Sequence, residues 1–331
     1  SSAASDVYKR QLVDYQSGSY LKFEANENYY KGEPSIKNVV FQIIENADTA
    51  ILALQNGEVD AYQMTPQQVK KLDLDASNLS TYSYSEGRVG YLEINCNRVT
   101  DEKVRKALLY AMDRKAMDDA AFESSEYYSI PYTFLPTNSQ FYTEDGVEKY
   151  EQDVDKAKSM LEDAGVSGLK LKLGYMSSDA VQSAQALLIQ EQLKEVGVTV
   201  ELAGGDGTAI ANAMKDPDNE YDMYLGGYIM GIDPDTFSSL FENDGAYNYM
   251  HYSGYDTIDQ LFEEGRSELD ESARKETYAK LQAAVQDTGA FYPIISNNKI
   301  LVVNNRIQGV EDAGLVPVYT FEDTSSLKIA E

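Results

Sequence analysis

The chain is predicted to be an α/β protein, on three observations. Residues 39–61 and 169–202 each run strand, helix, strand, and residues 221–240, YDMYLGGYIMGIDPDTFSSL, read as a buried strand, a loop and a helix start. Tyr221 to Leu225 are short, apolar and β-prone, Gly226 and Gly227 are expected to end the strand, and Asp233-Pro234 supplies an N-cap followed by proline at the first helical position. In α/β sheets the loops at the carboxyl ends of strands are where ligands sit. The 221–240 loop is therefore the expected functional end.

The elements follow in order. Tyr20 to Glu24 alternate as a strand, residues 26–34 form a Tyr/Asn/Gly/Pro loop, and Val39 to Ile44 are nearly all apolar, as a doubly covered strand should be. Asn46 or Asp48 caps a helix with Ala50, Ile51 and Leu54 on one face, and Gly57 stops it. Val59 to Ala61 are expected to return as a parallel strand, closing a right-handed βαβ unit. Thr65-Pro66-Gln67-Gln68 is a capping box. YLEIN, from Tyr91, is a strand; Thr100 caps a helix over 101–112, and 113–122 continues as a second helix. Residues 129–145 form a Pro/Tyr/Thr/Asn loop long enough to carry function. A helix over 153–164, a strand over 169–173, a helix over 180–196 and a strand over 198–202 repeat the α/β pattern. Helices over 257–269 and 272–287, strands at 292–295 and 300–303, and a last strand near 316–321 complete the chain. Residues 1–11, SSAASDVYKRQ, resemble a translated library adaptor or a disordered terminus and are left out of the fold.

Composition narrows the function classes. The net charge of −27 repels phosphate backbones and anionic membranes, so nucleic acid is not an expected partner. The single Cys rules out an internal disulfide and a cysteine-rich metal site. No run of about 18 apolar residues is present to span a bilayer.

Enzyme chemistry finds little support. His251, the only histidine, lies in the aromatic stretch NYMHYS and is read as packed or cleft-lining; Cys96, in INCN, is read as a small buried hydrophobe. Gly204-Gly205-Asp206-Gly207 lacks the P-loop lysine and dinucleotide spacing and reads as a turn. Asp233 and Asp235 flank Pro234 as N-cap and first-turn acid, the alternative being a carboxylate pair of a hydrolase. EF-hand spacing is absent, and no metal or cofactor is expected. What is unusual is 26 Tyr with no Trp, and Tyr appears in both candidate loops, at Tyr128, Tyr132, Tyr142, Tyr228, Tyr247 and Tyr249. Tyr suits binding without chemistry, having an apolar ring, a hydrogen-bonding tip and little side-chain entropy to lose. The other reading is that Tyr is the ordinary core aromatic of this chain.

Several blocks in order carry a resemblance: NYYKGEP from Asn28, VVFQII, ALQNGEVD, then YLEIN with DEKVRKALLYAMDRKAM, then DVDKAKSMLEDAG, QEQLKEVGVTVEL, and GGYIMGIDPDTFSSLF with YNYMHYS. From about Leu12 to its end the chain resembles the family 5 solute-binding proteins of peptide-type ABC transporters, whose members bind oligopeptides, dipeptides, nickel or sugars. The resemblance implies a two-lobed, periplasmic-binding-protein-like (class II) α/β fold with hinge-linked lobes closing on ligand. It implies lobe I over 12–90 and 291–331, lobe III over 91–290, and a missing N-terminal part of lobe I, inserted domain and lipid anchor. The 39–61 unit is then expected to expose apolar surface. It also implies a monomer outside the cytoplasm, in the periplasm or held as a lipoprotein, whose partners are a peptide or peptide-like ligand and ABC permease subunits.

Peptide-binding members hold the ligand amine with an aspartate a few residues before the DP pair. That position here is Met230, which cannot pair with an ammonium. The candidate binding residues are Asn95, Tyr132, Tyr228, Met230, Gly231, Asp233, Tyr247 and Tyr249. A peptide-sensing or chaperone-like binder is the alternative from another class.

Overall fold

The computed structural model describes residues 9–30, 32–231, 233–316 and 320–331. Two compact units share the chain, residues 1–86 with 298–331 and residues 87–297.

In the first unit β1 (Arg10–Gln16), β2 (Tyr20–Ala25) and β3 (Asn38–Gln42) form an antiparallel sheet. The helix Ala47–Gln55 begins at the predicted cap, where Asn46 accepts from the Thr49 N–H, and buries Ala50, Ala53 and Leu54. β4 (Ala61–Met64) leads to the helix Pro66–Lys70 and then β5 (Leu79–Ser85). The capping box forms: Thr65 Oγ1 accepts from the Gln68 N–H at 3.2 Å while Gln68 Oε1 accepts from the Thr65 N–H at 3.0 Å.

The parallel βαβ unit expected over 39–61 does not form. β3 pairs antiparallel with β2, and β4 pairs antiparallel with residues 300–303. The β2–β3 link, residues 26–37, is shorter than the 43–60 crossover, and a crossover must also bury the helix against both strands it joins. The run at 39–44 is not covered on two faces either: Val40, Phe41 and Ile43 are 49%, 59% and 54% exposed. Lys9 to Gln11, left out as adaptor, are structured, with Lys9 Nζ 2.8 Å from Asp323 Oδ1 and Arg10 in β1; residues 1–8 lie outside the described residues. The strand expected near 316–321 is a small antiparallel pair, Leu315–Val316 on Thr320–Phe321, with residues 317–319 outside the described ones, and it is not the last: Lys328–Ile329 follows and pairs with Ile307–Gln308.

The second unit is a sheet of β6 (Arg88–Ile94), β8 (Lys170–Met176), β9 (Thr199–Gly205), β10 (Met223–Ile229) and the first half of β11 (Phe291–Asn304), with the short β7 (Tyr128–Ser129) on β11. β6 is antiparallel to β10 and β11, while β10, β8 and β9 are parallel, as the two crossover helices Ala180–Glu195 and Gly207–Met214 require. Alternation along β6 separates two cores. Leu92 and Ile94 join the core with helices Glu102–Tyr110, Arg114–Phe122, Val154–Asp163 and Ala180–Glu195; Val89 and Tyr91 join Phe134, Phe237, Phe241 and Phe262 on the other face.

Four further expectations change. Asp101, not Thr100, caps Glu102–Tyr110. Gly204 and Gly205 end β9, and Asp206 caps the next helix by accepting from the Ala209 N–H at 2.8 Å. Strands placed at 292–295 and 300–303 are one continuous β11. Gly226 and Gly227 do not stop β10, which runs on to Ile229, because these glycines make room for the rings and guanidinium that lie over them.

The block DEKVRKALLYAMDRK has a physical basis. Arg105, 3% exposed, donates to the carbonyls of Val99, Thr100 and Thr288 and to the Tyr255 hydroxyl, closing a loop and a helix end that leave those carbonyls otherwise orphaned. Arg114 donates to the carbonyls of Pro293 and Lys149 and stacks 4.1 Å from the Tyr292 ring centroid.

Candidate functional site

At the carboxyl end of β10 the chain turns through Met230 and Gly231 into the short helix Pro234–Phe237, with Ile232 outside the described residues. The Met230 N–H donates to Gly87 O at 2.9 Å, the Gly231 N–H to Thr236 Oγ1 at 3.4 Å, and the Tyr228 hydroxyl to Thr236 O at 3.0 Å. Asp233 caps the turn, its Oδ1 accepting from the Asp235 N–H at 3.0 Å, as the N-cap reading expected.

Both acids of the DPD run already have cations. Arg274 Nη2 is 2.7 Å from Asp233 Oδ2, and Arg266 Nε is 2.7 Å from Asp235 Oδ1. Partial burial would raise the Asp233 carboxyl, but the Asp235 N–H and Arg274 outweigh it and hold Asp233 below its ordinary 3.8. The two arginines come from helices Asp256–Ser267 and Glu271–Asp287, so this loop is braced by the helical layer behind it.

The eight predicted residues fall in three places. Tyr228, Met230, Gly231 and Asp233 share the loop just described. Asn95, Tyr247 and Tyr249 lie toward the opposite end of β10, roughly 20 Å away for six residues of strand. Asn95 is fully buried: its Nδ2 donates to Tyr221 O at 3.2 Å and its Oδ1 accepts from the Asn97 N–H at 3.0 Å, tying the ends of two strands together. Tyr249 packs with Ile210 and Met214, its ring 5.6 Å from that of Tyr224, and Tyr247 is 45% exposed. A cavity of about 270 Å³ at this end is lined by Asn97, Lys215, Asn248, Tyr249 and His251, among others. Tyr132 stands apart from both groups, between the cations of Arg114 and Lys149, each 4.9 Å from its ring centroid.

The groups considered for catalysis have other surroundings. His251 Nε2 is 2.6 Å from Met214 O. Burial pushes the Cys96 thiol up to about 11, the wrong direction for a thiolate nucleophile. Among the described residues no group of three or more His, Cys, Asp or Glu is placed to hold a metal ion, and no helix is long and apolar enough to cross a membrane.

Arg88 went unrecognised in the sequence. It opens β6 opposite Ile229, and its guanidinium lies across Gly227, where a β-carbon would stand 1.9 Å from Nη2. The run Gly87-Arg88-Val89-Gly90 was a signal, but beginning the strand at Tyr91 passed over it.

The family model described as bacterial extracellular solute-binding proteins, family 5 middle, matches residues 11–249. The chain belongs to this family. The family 5 chain is 26% identical over 322 residues to the oligopeptide-binding protein AppA of Bacillus subtilis (strain 168), covering 89% of this chain and 57% of that protein. It is 26% identical over 310 residues to the dipeptide-binding protein of Escherichia coli (strain K12), covering 90% of this chain and 57% of that protein. Among solved structures, the ABC transporter substrate binding protein CtaP (Lmo0135) from Listeria monocytogenes is 36% identical with a TM-score of 0.92, over 98% of this chain and 66% of that one. The chain therefore has the α/β fold of the two-lobed periplasmic binding proteins, and it spans a little over half the length of the curated relatives it matches.

Proposed function

We propose that this family 5 chain is the solute-capturing part of an ABC importer, taking a peptide or peptide-like ligand and passing it to membrane permeases from outside the cytoplasm. The family match over residues 11–249 carries the reading, and relatives named for oligopeptide and dipeptide binding support it. In this reading lobe I comprises 12–90 and 291–331 and lobe III 91–290, and Tyr228, Met230 and Gly231 meet the ligand. Asp233 and Asp235, each held by an arginine, are braces of the loop and leave the ligand amine unclamped. Captured ligand leaves chemically unchanged, so this function needs no nucleophile or activated water.

Thermal melting against free peptides, N-acetylated peptides, oligosaccharides and nickel tests the proposal. A ligand at 100 times its Kd stabilises the folded state by about 2.7 kcal/mol, a rise of roughly 5–10 °C for a protein of this class. Peptides, free and acetylated alike, should raise Tm. A rise with nickel or oligosaccharide only would overturn the peptide reading.

A further inference from the structure

Two asparagines of one loop in the second unit bury polar atoms that the fold leaves unused. Asn243 follows the helix Ser238–Phe241, and its backbone N–H donates to Asp259 Oδ1 at 2.8 Å, but its side-chain Nδ2 and Oδ1 are both buried with no hydrogen bond to any described residue. Asn248 is 6% exposed; its Nδ2 donates to Glu242 O at 3.0 Å, while its Oδ1 is buried and unpartnered among the described residues. An amide group in this condition has given up water without replacing it, and native folds rarely tolerate that. Two such side chains five positions apart call for a partner from outside the chain.

Both asparagines line the cavity of about 270 Å³ at the amino end of β10, together with Asn97, Lys215, Tyr249 and His251. That volume lies at the small end of ligand pockets, which suits a single ring better than a peptide. His251 adds an acceptor to the set: its Nε2 is 2.6 Å from Met214 O, and since a carbonyl only accepts, Nε2 carries the proton and Nδ1 of the neutral ring keeps its lone pair.

The chemistry of the lining narrows the occupant. A metal ion is disfavoured by the Lys215 ammonium, and among the described residues no three His, Cys, Asp or Glu are placed to hold one. An anion is disfavoured by a net charge of −27. The unused groups are carboxamides, uncharged, with donor and acceptors side by side. Hydroxyls answer that pattern because each both donates and accepts, and the Tyr249 ring offers an apolar surface to the C–H face of a small ring.

We propose that this cavity is a second solute site, taking a small uncharged polyhydroxylated molecule of monosaccharide size, with Asn243 and Asn248 supplying hydrogen bonds. The proposal goes beyond the peptide reading and stands independently of it. The loop at Met230 is roughly 20 Å away along β10, so occupancy of one place does not block the other.

NMR titration of the ¹⁵N-labelled full chain with glucose and with myo-inositol, and with acetamide and sodium acetate as amide and anion controls, tests this. At least one polyol should shift the Asn243 and Asn248 side-chain N–H₂ resonances saturably, and the two controls should not. No saturable shift with either polyol leaves ordered water as the occupant and overturns the proposal; so does a saturable shift confined to the amides of Met230 and Gly231, which would place the polyol at the other loop. A response to acetamide or acetate equal to that of the polyols overturns the ligand class. Asn243→Leu supplies a second readout. It replaces an unpartnered carboxamide by an apolar group of similar size, so it should hold or raise Tm while weakening polyol binding at least about tenfold. Unchanged polyol affinity in a folded Asn243→Leu protein refutes the role of Asn243, and if that variant does not fold the wild-type titration decides alone.

Discussion

Asp233 is the position where cap, ion pair and proposed binding loop meet, and its replacement separates their contributions. Asp233→Asn keeps an N-cap acceptor for the Asp235 N–H and removes the charge facing Arg274; Asp233→Ala removes both. The side chain of Asp233 is 41% exposed, so its ion pair is discounted for solvent screening to about 0.5–1 kcal/mol. The cap contributes about 1 kcal/mol more. Asp233→Asn should therefore lower stability by about 0.5–1 kcal/mol and Asp233→Ala by about 1.5–2 kcal/mol, or roughly 1–4 °C and 3–8 °C in Tm. Because the folded-state carboxyl is held below 3.8, its stabilisation is present above that pH and is lost as pH falls through the folded value. Urea melts of all three proteins at pH 7 and at successively lower pH read both quantities. Equal costs for Asn and Ala at pH 7, or an Asn deficit that persists in strong acid, would refute the division into cap and pair. Since Arg274 already neutralises this acid, Asp233→Asn should leave peptide affinity within about twofold.

Two other outcomes follow from buried charges. Arg105→Lys should cost about 3 kcal/mol or more in urea melts, because one ammonium cannot reach the carbonyls of Val99, Thr100 and Thr288 and the Tyr255 hydroxyl that the guanidinium spans; a loss under about 1 kcal/mol would contradict the buried network. Glu93 is 1% exposed, and burial pushes its carboxyl from 4.5 up to about 8. The unfolded chain ionises first, so this group subtracts stability progressively as pH rises from about 4.5 to about 8 and by a constant amount above that. The Tm of Glu93→Gln relative to wild type should climb through that window and then level off; a difference independent of pH would sink the assignment.

What the chain announces about itself is mostly local. The caps at Asn46, Thr65 and Asp233 form where read, because an N-cap needs only its own side chain and an N–H two or three residues on. The blocks from YLEIN to YNYMHYS were enough to place the family. The loop after β10 was legible for the same reason, being a strand, a turn and a cap in immediate succession.

The tertiary structure decided what depends on partners distant in sequence. Residues 39–61 carry a pattern compatible with βαβ, yet strand pairing is a property of two edges: β3 found β2, and β4 found a strand more than two hundred residues later. Asp233 and Asp235 look alike in sequence, as two acids flanking one proline. Only the fold assigns Arg274 to the first and Arg266 to the second, and lays the Arg88 guanidinium from a distant strand across Gly227. A charge's role is set by what stands within a few ångströms of it, and no spacing along the chain records that.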